Sequence, residues 1–179
     1  MVCVFLVSHT VQAQYFPKKY DRQIKKAVKL YWADYPFWTN YKAQLYQESR
    51  LDTNATSPVS AMGLAQFMPY TWKDMSKRLG FKASAYDPKY AIEAGAYYMF
   101  TLRRSWKSKR PQSERQKLAQ ASYNAGLGNI IKAQKKCNMA RMYEPIIKCL
   151  PYVTGHHSKE TITYVKRIAK WDSLLHLGL

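Results

Sequence analysis

A chain of 179 residues, 47% apolar and 22% charged, is long enough to bury a core and too apolar to belong to the disordered class. Its 29 Lys+Arg against 11 Asp+Glu leave a formal charge of +18, which draws polyanions toward the surface. No stretch approaches the roughly 20 apolar residues that span a bilayer, and no helix-turn-helix, zinc-finger or RNA-binding signature is present, so neither an integral membrane span nor a nucleic-acid partner is expected.

The N-terminus opens with a short apolar run, Val2 to Val7, followed by Val11-Gln12-Ala13, an ending like the small-x-Ala site of a secretory signal. The run is short and lacks a preceding Lys or Arg. We expect residues 1–13 to be a signal peptide of an exported, periplasmic or extracellular protein, with residues 14–179 as its domain; the alternative is an N-terminal arm. Cys3 would leave with the signal, so Cys137 and Cys149 remain, either as a disulfide or as two buried thiols. Their spacing is a weak metal signal, and no metal or cofactor is expected.

Helical periodicity then dominates. Ile24, Ala27, Val28 and Tyr31 recur at i, i+3, i+4 and i+7 on one face. A second helix follows the Pro36 turn and runs through Ala43, Leu45 and Tyr46 to Glu48. Pro69 opens a third, which reaches Leu79 and stops at Gly80. Asp87-Pro88 reads as an N-cap followed by a first-turn proline, and the helix behind it points Ile92, Ala96, Met99 and Phe100 to one side. Ser113-Glu114-Arg115-Gln116 has the form of a capping box ahead of Leu118, Ala121 and Ser122. Gly126 and Gly128 break the chain before Ile130, and a last helix from about Lys159 turns Ile162, Val165, Ile168 and Ala169 inward. Pro111–Ser113 and Pro151–Ser158, the latter with His156-His157, read as loops. No run of alternating strand residues and no internal repeat occurs, so the expectation is one all-α domain.

Glycoside cleavage needs a proton on the leaving oxygen, and a carboxylic acid in partly apolar surroundings supplies it because burial raises its pKa. Among the five glutamates, Glu114 suits a first helical turn and Glu93 sits inside a well-patterned helix. Glu48 ends an aromatic-rich helix just before the polar stretch 52–60, where an acid can meet substrate and stay partly desolvated.

Four segments then carry a resemblance. Glu48-Ser49, the run from Ser57 through Gly63-Leu64-Ala65-Gln66-Phe67-Met68-Pro69, Ser122-Tyr123-Asn124-Ala125-Gly126, and Glu160-Thr161-Ile162-Thr163-Tyr164-Val165 resemble, in order and at fitting distances, the four motifs of a lysozyme-like lytic transglycosylase of the soluble-lytic type, glycoside hydrolase family 23. The likeness spans about residues 40–170. It implies a single lysozyme-like domain acting on peptidoglycan glycan strands, with Glu48 as sole catalytic acid and base. Glu48 would protonate the oxygen between N-acetylmuramic acid and N-acetylglucosamine. The same carboxylate would then take the proton of the muramic acid 6-hydroxyl, which closes on C1 to give a 1,6-anhydro end. The acetamido carbonyl of the substrate stands in for a second carboxylate. The resemblance places Ser57, Gln66 and Met68 at sugar or peptide contacts, Tyr123 beside the glutamate, Asn124 in its loop, and Glu160 and Tyr164 near the cleft.

Each has a plainer reading: Ser57 as a turn residue, Met68 as core filler, Tyr123 as a hydrogen-bonded core tyrosine, Asp52 as a loop acid, His156 and His157 as loop residues. The family usually has Gly, Met and Ala where this chain has Ser60, Ala65 and Ser122; Ala65 either leaves room beside the substrate or is covered by a neighbour. Two other functions stay open. One is a goose-type lysozyme on the same fold, letting water attack, and the other is an inactive wall-binding module. A monomer is the expected state, and the small size suits a phage or secretion-system assembly.

Overall fold

The computed structural model describes residues 16–178, and the signal-peptide expectation for residues 1–13 falls outside them. Phe16, the first described residue, is buried against Tyr46 and Trp171. The described chain then forms α1 (Asp21–Tyr31), α2 (Trp38–Ser49), α3 (Pro69–Leu79), α4 (Pro88–Ser105), α5 (Gln112–Ala125), α6 (Leu127–Lys136), α7 (Tyr143–Lys148), α8 (Pro151–Thr154), a 3₁₀ turn (Gly155–His157) and α9 (Ser158–Leu177). No strand occurs among the described residues. Two isolated antiparallel bridges, Thr56 with Met62 and Met62 with Phe67, pin the long segment between α2 and α3. The fold is all-α, as the periodicity predicts, and none of the described helices is long and apolar enough to cross a membrane.

α2 is the axis of the molecule. Every residue from Thr39 to Tyr46 is buried, the pattern of a helix enclosed on all sides. Tyr41 and Leu45 enter one apolar core with Ile24, Trp32, Leu64, Phe67, Ile92 and Met99. Ala43 enters the other, with Leu118, Ile130, Ile146, Val165 and Ile168. Enclosure also traps polar groups, and Asn40 and Lys42 find partners. Asn40 Oδ1 accepts from Gln116 and Gln120, while its amide donates to Asp172, so α2, α5 and α9 share one network. Buried Lys42 pairs with Asp21 at 2.6 Å.

Five expectations need correction. The capping box does not form: α5 starts at Gln112 behind Pro111, without a side-chain cap, and Gln116 turns inward to Arg103 and Asn40. A buried carboxamide with two partners outweighs one cap. Gln112 and Ser113 are therefore helical, not loop. The segment 151–158 is also helical: Pro151 starts α8, and the 3₁₀ turn with stacked His156 and His157 leads directly into α9. Gly128 lies inside α6, and the break is made by Gly126 alone, at φ +84°. In α9, Ala169 is exposed, and Thr161 and Tyr164 are buried instead, because the face that meets α2 starts one residue before Ile162. α7 was not anticipated. Its core contacts are Tyr143, Ile146 and Ile147, and the Cys137–Cys149 disulfide ties its end to that of α6.

Candidate active site

Glu48 occupies the last turn of α2, and Arg50 and Leu51 then leave the helix in left-handed conformation, at φ 58° and 64°. The next segment is fastened to this helix end. Ser49 Oγ donates to Leu64 O at 2.8 Å. Gln66, at φ 47°, donates its side-chain amide to Ala55 O and Gly63 O. Ser57 Oγ accepts from Ala61 N–H at 2.9 Å and closes a turn. Gly63 is required here: a Cβ would stand 2.2 Å from Ala85 O, at a φ of +66°. Asp52 Oδ1 accepts from Asn54 N–H, a local loop bond.

The opposite wall comes from α5 and α9. Tyr123 donates to Ala65 O at 2.6 Å, tying α5 to the segment between α2 and α3. Asn124 donates to Glu160 Oε1 at 3.2 Å and accepts from Thr161 at 2.7 Å, joining the end of α5 to the start of α9. Tyr164 OH donates to Glu48 Oε1. The cleft so formed has a volume of about 470 Å³. Glu48, Asn124, Glu160 and Tyr164 line it together with Lys159 and Arg167. Ser57, Gln66 and Tyr123 are not among its lining; their polar atoms bond to the backbone of the segment between α2 and α3. Met68, 45% exposed, stands at the start of α3.

Burial pushes the Glu48 carboxyl up to about 8, the Tyr164 hydrogen bond opposes the rise, and the negative charge of Glu160 adds to it. The C-terminal end of α2 acts in the same sense, because it disfavours a negative charge. At neutral pH Glu48 therefore holds its proton and can give it up. Tyr164 and Tyr123 are raised well above the ordinary tyrosine range, by burial first and then by Glu48, so both stay neutral donors.

Several residues at this site carry no motif signal. Tyr41 feels the Glu48 charge and donates to Ile92 O at 2.7 Å; lying seven residues before Glu48, it shares a helix face, which is the sequence clue. Gln47 accepts from Trp171 Nε1. Thr163 and Arg167 lie three and seven residues after Glu160, and Lys159 four before Thr163, so they share the cleft face of α9 once Glu160 is placed there. Two of the family departures also find partners. Ala65 is fully buried, so a neighbour covers it. Ser122 Oγ donates to Leu118 O and accepts from Trp106 Nε1. Ser60 stands at φ 64°, where a glycine is free of strain.

With this geometry in view, residues 39–144 match the family model described as the transglycosylase SLT domain. The membrane-bound lytic murein transglycosylase F of Shewanella pealeana is 36% identical over 98 residues, covering 55% of this chain and 19% of that protein. Its Yersinia enterocolitica counterpart is 34% identical over 98 residues, with the same coverage. A lytic transglycosylase of Pseudomonas aeruginosa, solved as an inactive mutant, superposes with a TM-score of 0.69 at 25% identity, covering 88% of this chain and 24% of that one. The 70 kDa soluble lytic transglycosylase of Escherichia coli shares the fold, with a TM-score of 0.70 at 24% identity over 89% of this chain and 24% of that one. The chain thus spans about a fifth of the curated relatives' length and about a quarter of the solved ones'.

Proposed function

The chain belongs to the transglycosylase SLT domain family, and from that premise we propose that it is a peptidoglycan lytic transglycosylase with Glu48 as its single acid and base. The observation that carries this reading is a carboxyl raised to about 8, open to a cleft and held by Tyr164. Such a group is protonated before the reaction and becomes a base once it has given up its proton. It first protonates the glycosidic oxygen, and the bond from that oxygen to muramic acid C1 breaks, releasing the N-acetylglucosamine side with its hydroxyl. The acetamido carbonyl of the muramic acid stabilises the cationic C1. The Glu48 carboxylate then removes the 6-hydroxyl proton, and the 6-oxygen bonds to C1, leaving a 1,6-anhydro end.

Asn124, Glu160 and Tyr164 flank the acid and contact the sugars, and exposed Met68 meets the strand beside them. Ser57, Gln66 and Tyr123 belong to substrate binding as well, by holding the wall against which the strand lies. Action on peptidoglycan carries export with it, and residues 14–179 make up the working domain.

Purified peptidoglycan digested by wild type and by Glu48→Gln, read by mass spectrometry, tests the reading. Anhydro-muropeptides from wild type and none from the variant are expected. A second reading, a goose-type hydrolase, is favoured by one observation, the Glu160 carboxylate in the same cleft. It predicts reducing ends in place of anhydro ends. Equal activity in both proteins would mean that another residue is the acid.

A further inference from the structure

Lys132, Lys135, Lys136, Arg141 and Lys148 are all exposed, and the single acid between Lys132 and Tyr152 is Glu144. None of the five cations is in an ion pair among the described residues. The same stretch leaves large apolar side chains in water. Met139 is 59% exposed, Met142 40% and Tyr152 75%.

The fold keeps these groups together. α6 ends at Lys136, and the chain then turns through Asn138 and Met139, both left-handed, at φ 50° and 55°. Met139 N–H donates to Gln134 O at 3.0 Å and Gln134 Nε2 donates to Ala140 O at 2.8 Å, so the turn is tied to α6. The Cys137–Cys149 disulfide sets its two Cα atoms 5.9 Å apart. Lys136 and Lys148 each adjoin one of these cysteines, which brings their Cα atoms within about 14 Å of each other. Met139 and Met142, three residues apart, lie within about 11 Å. The C-terminal ends of α6 and α7 favour Lys135, Lys136 and Lys148. They do not account for Arg141, for two methionines and a tyrosine left in water, or for the left-handed backbone of Met139, which is unfavourable for a methionine. Exposed apolar side chains flanked by cations are the makeup of a surface that meets an anionic bilayer.

We propose that residues 135–152 form a docking surface for a bilayer of anionic phospholipid. Met139 and Met142 enter the boundary between headgroups and acyl chains, Tyr152 takes the headgroup level, and the cations meet the lipid phosphates. The contact is peripheral, since none of the described helices is long and apolar enough to cross a membrane. The apolar side chains are interleaved with cations rather than gathered into one face. That suits a bilayer interface better than a protein interface, whose centre is depleted of charge. None of residues 135–152 lines the Glu48 cleft, so docking does not use the residues of that site.

Sedimentation of the full chain with vesicles tests this. Pelleting is expected with vesicles of phosphatidylglycerol and phosphatidylcholine, and not with phosphatidylcholine alone. Met139→Ser with Met142→Ser should weaken the partition about tenfold or more, and so should Lys135→Gln, Lys136→Gln and Lys148→Gln together. All five residues are exposed, so these variants keep the fold. A control removes four charges from the exposed face of α1, as Arg22→Gln, Lys25→Gln, Lys26→Gln and Lys29→Gln, and should weaken the partition less. The apolar run Val2–Val7 is common to all these proteins and does not bear on the comparison. In bicelles with lipid spin-labelled near the headgroup, the methyl signals of Met139 and Met142 should broaden, and those of buried Met75 and Met99 should not. Equal pelleting with phosphatidylcholine alone, unchanged pelleting of the two variants, an equal or greater loss in the α1 control, or broadening of Met68 in place of Met139 overturns the proposal. Binding to soluble polyglutamate but to no vesicle assigns the patch to a protein partner and likewise overturns it.

Discussion

Because burial lifts the Glu48 carboxyl from 4.5 to about 8, folding and proton binding are linked at this residue. The folded chain keeps this proton at pH values where the unfolded chain has released it. Stability from this source is therefore full below about 4.5 and falls as the pH rises to about 8, by on the order of 5 kcal/mol. Glu48→Gln has no such penalty. Its melting temperature should match wild type near pH 4 and exceed it increasingly up to pH 8, and a gap independent of pH would contradict the linkage. Tyr164→Phe tests the same carboxyl from the other side. The Tyr164 hydrogen bond holds the Glu48 pKa down, so its loss should move the alkaline limb of the kcat/KM profile to higher pH. The maximal rate should fall about tenfold as the carboxyl loses its anchor. A purely structural Tyr164 would lower the rate and leave the limb in place. Glu48 was suggested by its place at a helix end before a polar stretch and singled out by the motif resemblance, which also brings Tyr123 and Tyr164 near it. Partial desolvation was expected, but its extent was not legible, because α5 and α9 supply part of the enclosure.

At the scale of elements, the segment between α2 and α3 has no regular structure, and it keeps its shape through turns and side-chain bonds. Two neighbouring substitutions should therefore act in opposite directions. Gly63→Ala drives a methyl group into Ala85 O at a left-handed φ and should cost about 3 kcal/mol or more. Ser60→Gly relieves a left-handed serine and should stabilise by roughly 0.5–1 kcal/mol, both read by denaturant unfolding. α1 to α4 were legible because apolar spacing and proline or glycine punctuation agree there: Asp87 does cap α4, and Gly80 does end α3. The C-terminal half was harder. The α5 start followed tertiary demand for Gln116 over local capping chemistry. α7 and α8 have six and four residues, too short to show a period, and their helicity depends on the core beneath Ile146, Ile147 and Leu150. The site divides the same way: motif residues on α5 and α9 meet at Asn124 and Glu160, and the cations Lys159 and Arg167 emerge only from the register of α9.

For the whole molecule, two apolar cores share α2, and the second is closed by one covalent link. Reducing Cys137–Cys149 should lower stability by about 3 kcal/mol, seen as a lower melting temperature in reductant and absent in a double Cys→Ser variant. The bond anchors α7 and α8, which lead into α9, so reduction should loosen the start of that helix before it disturbs α1 or α4. The Glu48–Tyr164 contact joins residues 116 positions apart in sequence. During synthesis, the carboxyl leaves the ribosome long before the helix that shelters it. Until α9 docks, Glu48 lacks part of its shelter and the nearby Glu160 charge, the two causes that raise its pKa, and it ionises more like an ordinary surface acid. A chain interrupted before α9 would carry the proposed acid without its proton at neutral pH. The last long helix thus doubles as the arming step of the proposed enzyme.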